Sequence, residues 1–214
     1  LFFTRQPKTY TAAIFDLDGV IVDTAGYHFA AWARLADGLG FTLPPEAGQQ
    51  IKGATRPQSL EIVLSAGGLQ LSEDEKSRLL ESTQADYRRY IQTLGPPNLL
   101  PGVLVYLQTL KRAGVAIGLG SSSRSAAIIL AQLGLLEYFD TLVTGSQITF
   151  PKPHPEVFLT AAHNLGHRPQ SCVVFEDSQA GLTAAKAAGM LAIGVGAAAD
   201  LPQADLVIPG FAIE

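Results

Sequence analysis

Two aspartates stand one residue apart in Asp16-Leu17-Asp18-Gly19, and a second acidic pair, Glu176-Asp177, follows Val173-Val174-Phe175. Each pair sits where a short apolar run stops at a polar turn, the pattern of a buried parallel strand and its C-terminal loop. Carboxylates gathered at one sheet edge repel one another and are costly to bury unpaired. A divalent cation resolves that conflict, and an all-oxygen donor set favours Mg²⁺ over Zn²⁺. The i, i+2 spacing turns Asp16 and Asp18 to the same side, so one can bind metal and attack while the other handles protons. Lys152 lies in Pro151-Lys152-Pro153, where two prolines stiffen its backbone. An ammonium held near the carboxylates offsets the charge of an incoming phosphoryl group. Ser121 follows an apolar segment and precedes a helical one, so its hydroxyl and the nearby N–H groups can bind phosphoryl oxygens.

The elements that must position these groups alternate. Strands are expected at Ala12–Phe15, Val115–Leu119, Thr141–Val143, Val173–Phe175, Leu191–Val195 and Leu206–Ile208. Helices are expected at Pro101–Arg112, Ala126–Leu133, Pro155–Leu165 and Gln179–Ala188. Such alternation implies an α/β fold, a Rossmann-like parallel sheet with helices on both faces. A helical block interrupts it after the first strand. Phe29, Trp32, Ala33, Leu35 and Ala36 recur at helical spacing, and further helices are expected at Pro45–Ile51, Pro57–Ser65 and Ser72–Leu94. Ser72 and Glu75 have the form of a capping box. The expected organisation is a discontinuous α/β core, residues 1–23 and 97–214, with an inserted all-helical cap over residues 24–96. In such open sheets ligands bind beyond the carboxyl ends of the strands. Asp16/Asp18, Ser121–Ser123, Lys152 and Glu176/Asp177 fall at or near those ends.

The whole chain sets outer limits. It has 214 residues and a net charge of −4, so no global field favours nucleic acid or an anionic membrane. No apolar run approaches the roughly 20 residues that span a bilayer. The single cysteine, Cys172, excludes an internal disulfide framework and is expected to be a buried, inert thiol. His154, His163 and His167 show no partner pattern and are expected to be exposed. A cytoplasmic monomer acting on a small phosphorylated molecule is the expectation.

Phe15-Asp16-Leu17-Asp18-Gly19-Val20, Ser121, Lys152 and Glu176-Asp177-Ser178 resemble, in order, the four motifs of the haloacid dehalogenase superfamily. Within it, the likeness is closest to the β-phosphoglucomutase family. It runs through Asp23-Thr24, Tyr27-His28-Phe29, Trp32, Lys52-Gly53-Ala54-Thr55-Arg56, Ser121–Arg124, Phe175–Gly181 and Ile193-Gly194-Val195-Gly196. The resemblance implies that Asp16 becomes an aspartyl phosphate and that Asp18 is the general acid and base. It implies Mg²⁺ on Asp16, the Asp18 backbone carbonyl and Asp177, with Glu176 coordinating directly or through water. Ser121 and Lys152 would hold the transferring phosphoryl group. Arg56 would bind the other phosphate of a glucose 1,6-bisphosphate intermediate, with Ser122, Ser123, Arg124 and Ser125 in the neighbouring loop. His28, Lys52 and Gly53 would contact the sugar. The sequence departs from the family pattern at Thr83 and Ser125, where Lys and Asn are common.

A bisphosphate has phosphates at opposite ends, so a mutase needs a second cationic site, and the planar fork of Arg suits it. A phosphatase on the same scaffold needs none, which makes His28, Lys52 and Arg56 the discriminating residues. A phosphosugar sensor without turnover has no use for a paired nucleophile and proton carrier.

Overall fold

The computed structural model of the protein describes residues 10–51 and 54–212, without the side chains of Ala25, His28 and Gln49. The expectations for His28, Lys52 and Gly53 therefore lie outside the described residues. Six strands form one parallel sheet: β1 (Ala12–Phe15), β2 (Ala116–Gly120), β3 (Thr141–Val143), β4 (Cys172–Glu176), β5 (Leu191–Val195) and β6 (Leu206–Ile208). Their order is β3-β2-β1-β4-β5-β6. This is the doubly wound, Rossmann-like order, in which the chain switches direction across β1 and leaves a crevice beyond the strand ends there.

Why these segments pair is visible in their composition. β1 and β4 are buried along their whole length, as parallel strands covered on both faces must be. Alternate residues serve opposite layers. Ala12, Ile14, Cys172 and Val174 join Val157, Phe158, Ala161 and Leu182 in one core cluster. On the other face Phe15 stacks on Phe175 at 4.8 Å and meets Tyr106, Phe139 and Phe211. The helices of this unit are α5 (Val103–Arg112), α6 (Ala126–Gln132), α7 (Glu156–Leu165) and α8 (Gln179–Ala187). The chain divides into two compact units, Leu1–Asp23 with Leu94–Glu214, and Thr24–Thr93.

The second unit holds α1 (Ala25–Gly38), α2 (Ala47–Ile51), α3 (Arg56–Ala66) and α4 (Glu73–Ile91). Its core is Trp32, Ala36, Leu43, Leu60, Val63 and Leu64. The Ser72 capping box forms: the Ser72 N–H and hydroxyl both donate to Glu75 Oε2, at 2.9 and 2.6 Å. A matching pair fixes the start of α3, where the Thr55 N–H and hydroxyl donate to Gln58 Oε1 at 2.9 and 2.8 Å. α4 is largely polar and buries only Thr83, Tyr87 and Ile91, a stripe at i, i+4, i+8.

Several boundaries differ from the sequence expectation. α4 ends at Ile91 rather than Leu94, because the Thr93 N–H and hydroxyl both turn back to the Tyr90 carbonyl at 2.8 Å. β4 extends one residue further at each end, and its last residue, Glu176, pairs in register with Gly194. His167 is half-buried rather than exposed, and its Nδ1 lies 2.8 Å from Thr11 Oγ1 beside the start of β1. Cys172 is buried, which pushes its thiol up to about 11 and keeps it in the unreactive, protonated form.

Candidate active site

Strand register brings the acidic pairs together. Phe15 lies between Leu119 of β2 and Phe175 of β4, so Asp16 emerges beside Gly120 and Glu176. The Asp16 N–H continues the ladder to the Phe175 carbonyl at 2.9 Å. Beyond it the chain turns sharply: the Gly19 N–H donates to Val22 O at 2.8 Å, and Leu17 O accepts from Ile21 and Val22. Gly19 has φ +72°, and a Cβ there would lie 2.1 Å from Asp177 Oδ2. Only glycine lets the first acidic loop approach the second this closely.

One carboxylate oxygen from each of Asp16, Glu176 and Asp177 lies within 4.8 Å of the others. Lys152 completes the group. Its ammonium is 2.8 Å from Asp16 Oδ1 and 2.8 Å from Glu176 Oε2, with only 8% of its side chain exposed. Glu176 is fully buried and held on its other oxygen, Oε1, which accepts from the Ser178 hydroxyl at 2.7 Å and the Ser178 N–H at 3.1 Å. Gly181 makes room for it, since a Cβ at that position would sit 1.9 Å from the Glu176 carboxyl group.

The charge balance is unequal, with one ammonium facing several carboxylates. Burial first, then the charges of Glu176 and Asp18, push the Asp16 carboxyl up to about 8, against the pull of Lys152. Burial also opposes the Lys152 charge, but Asp16 and Glu176 outweigh it and hold the ammonium well above its ordinary range. A buried cluster of carboxylates, in which Asp16 resists ionisation and only oxygen donors are offered, fits a hard divalent cation such as Mg²⁺. Asp16, Glu176 and Asp177 are the side chains that would hold it. The Asp18 carboxylate is not one of the clustered three; the resemblance gives that residue only a backbone ligand.

This has a consequence for pH. Between the unfolded value of 3.8 and about 8, folded Asp16 keeps a proton that the unfolded chain releases, so metal-free stability falls as pH rises through that window. Metal binding requires the carboxylate and releases that proton. Mg²⁺ is therefore expected to raise the melting temperature little near about pH 5 and much more near about pH 8. Differential scanning fluorimetry with and without Mg²⁺ checks this; a larger rise at the acid end contradicts it.

Ser121 is buried at the end of β2, with its N–H on Val143 O at 3.0 Å and its Oγ accepting from the Ser123 N–H at 3.2 Å. Ser123 Oγ in turn accepts from the Ser125 N–H at 3.2 Å. The 121–125 segment is thus a series of serine turns just past the end of β2, the strand that pairs with β1, with Ser122 and Arg124 exposed. Arg56 belongs to the helical unit, at the first position of α3. It is half-buried, lies 5.8 Å from the Trp32 ring centre, and donates from Nη2 to Thr83 Oγ1 and Leu80 O at 2.6 and 3.0 Å. Trp32 itself is core packing, 3% exposed.

Two supporting contacts have no signature in local sequence spacing. Glu156 braces the segment that carries Lys152, accepting from the Thr149 and Phe150 N–H groups at 2.9 and 2.7 Å. In sequence it is simply an acidic residue in the first turn of a helix, which the helix dipole explains. Thr83 accepts from Arg56 across α3 and α4, and no local spacing rule links residues 27 apart.

A model of the haloacid dehalogenase-like hydrolases matches residues 10–189. The chain is 42% identical to a β-phosphoglucomutase of Bacillus subtilis (strain 168) over 199 residues, 92% of this chain and 88% of that one. It is 34% identical over 188 residues to a fructose-1-phosphate phosphatase of Escherichia coli (strain K12), 88% of this chain and 97% of the other. A crystal structure of β-phosphoglucomutase from Clostridium difficile superposes with TM-score 0.84 at 37% identity, covering 94% of this chain and 91% of that one. Likeness that runs from the first strand through the helix after β4, and that extends to the fold itself, has one explanation: the chain belongs to the haloacid dehalogenase-like hydrolase family.

Proposed function

We propose that the protein is a β-phosphoglucomutase, interconverting β-D-glucose 1-phosphate and glucose 6-phosphate. Asp16 carries the phosphoryl group. In its phosphorylated form it transfers that group to the sugar O6 while Asp18 takes the hydroxyl proton, giving glucose 1,6-bisphosphate. The bisphosphate turns end for end. An Asp16 carboxylate oxygen then attacks the phosphorus on C1, the bond from phosphorus to O1 breaks, and Asp18 returns the proton to O1. Lys152 and Ser121 hold the phosphoryl oxygens in place through both transfers. Mg²⁺ bound by Asp16, Glu176 and Asp177 would neutralise charge on the transferring group. Excluding water keeps the aspartyl phosphate from hydrolysis.

The observation that carries the mutase reading is Arg56. It is half-buried on the helical unit with no ion pair to it among the described residues. Held in that way, it suits a second phosphate, which a mutase must bind and a phosphatase need not. The 42% identity to a β-phosphoglucomutase supports the same reading. The alternative, a Mg²⁺-dependent sugar-phosphate phosphatase, draws on the 34% identity to a fructose-1-phosphate phosphatase.

A coupled assay across several phosphosugars separates the two. The mutase reading expects glucose 6-phosphate to form from β-glucose 1-phosphate faster than inorganic phosphate is released, with a trace of bisphosphate activating the enzyme. Dominant phosphate release that bisphosphate leaves unchanged rejects it. Arg56→Ala is expected to cost mutase turnover about a hundredfold, and hydrolysis of a simple aryl phosphate far less. Equal losses in the two assays would remove Arg56 from the distal-phosphate role.

A further inference from the structure

We propose that Thr83 is the positioning residue for Arg56, fixing the guanidinium so that its remaining N–H groups are presented to the distal phosphate. This rests on the reading of Arg56 given above.

Three contacts restrain the guanidinium. Trp32 lies against it at 5.8 Å. Nη2 donates to Leu80 O at 3.0 Å and to Thr83 Oγ1 at 2.6 Å. The capping pair Thr55–Gln58 fixes the backbone where Arg56 begins α3. Thr83 is 5% exposed and occupies the buried stripe of a helix that is otherwise mostly polar. Its hydroxyl proton turns back onto the helix, to Leu79 O at 3.0 Å or Leu80 O at 3.1 Å. That leaves the oxygen lone pairs aimed at Arg56, so the hydroxyl acts as an acceptor of fixed direction.

With Nη2 occupied, Nε and Nη1 have no acceptor among the described residues, and they are the donors left for an anion. The group borders an open groove of about 440 Å³ together with Glu81, Gln84 and Arg88, so it stays accessible. Arginine loses rotamer freedom when it binds an anion. A guanidinium already held by Thr83 has less to lose, and that is the gain from pre-organisation.

The test uses Thr83→Val, which keeps the shape and removes the hydroxyl, and Thr83→Ser, which keeps it. Thr83→Val is expected to raise the apparent KM for glucose 1,6-bisphosphate in the mutase assay about five- to tenfold. The loss in kcat/KM for p-nitrophenyl phosphate, which has no distal phosphate, should be several-fold smaller. Thr83→Ser should recover most of the lost affinity. Because Thr83 acts through Arg56, adding Thr83→Val to Arg56→Ala should produce no further loss. Equal losses toward both substrates, no rescue by Ser, or a further loss in the Arg56→Ala background overturns the proposal. If Arg56→Ala impairs the mutase and Thr83→Val does not, the positioning role alone fails. If Arg56→Ala is itself without effect, the distal-phosphate reading fails with it.

Discussion

Asp16→Asn is expected to abolish turnover while leaving the metal-free protein at least as stable as the parent. The amide is nearly isosteric and its Oδ1 can still accept from Lys152, now 2.8 Å from the carboxylate. It cannot form the acyl phosphate, so the loss should exceed about 10⁴-fold, the scale seen when a covalent nucleophile is removed. Stability should move the other way. Asp16 is buried and pressed by Glu176 and Asp18, which is why its carboxyl resists ionisation up to about 8. A neutral amide relieves that crowding, and such gains at strained catalytic positions are common. Mg²⁺ affinity should fall, because one of three clustered carboxylates is gone. Rates and melting temperatures measured side by side check this. Turnover within about tenfold of the parent, or a clearly lower metal-free melting temperature, would contradict the role assigned to Asp16.

Lys152→Met carries the second large effect and the opposite sign of stability. Methionine fills the volume of the lysine stem over the Phe158 ring, which the ammonium now overlies at 4.7 Å. It leaves Asp16 and the fully buried Glu176 without their shared cation. Removing one partner of a buried, hydrogen-bonded charge cluster costs about 3–5 kcal/mol, less whatever Asp16 recovers by taking up a proton. Turnover should fall about a thousandfold if Lys152 holds the phosphoryl oxygens as proposed, because a fixed positive charge aimed at them is then lost. The destabilisation should shrink at acid pH and on adding Mg²⁺, since both neutralise the carboxylates, yet neither should restore activity. A variant that regained activity with Mg²⁺ alone would show that Lys152 is only a counter-charge.

What could be read from the sequence and what could not divide along physical lines. Ala12–Phe15 and Cys172–Glu176 are short β-rich runs ending in acidic turns, and a buried parallel strand is their only economical reading. Those runs put the acidic pairs at strand ends on one sheet edge; that β1 and β4 are neighbours comes only from their pairing in the fold. The Ser72–Glu75 capping box was equally plain, because its partners are three residues apart. The Thr55–Gln58 pair shares that spacing, but the helix expected there, Pro57–Ser65, starts one residue later than α3, which leaves Thr55 outside the cap position. Long-range supports gave no local signal. Glu156 is explained in sequence by the helix it begins, so its second task of bracing residues 149 and 150 is hidden. The Thr83–Arg56 contact joins separate helices, and only the folded unit reveals it. The His167 contact with Thr11 spans 156 residues and was likewise unreadable.

The measurement that bears most directly on covalent transfer through Asp16 is chemical mapping of the phosphoenzyme. Protein mixed with Mg²⁺ and glucose 1,6-bisphosphate would be quenched in acid, reduced with borohydride to convert any acyl phosphate to an alcohol, and digested for mass spectrometry. Homoserine in place of aspartate at position 16, dependent on the bisphosphate and absent from Asp16→Asn, is the expected result. Reduction at another acidic residue, or none during active turnover, would contradict it.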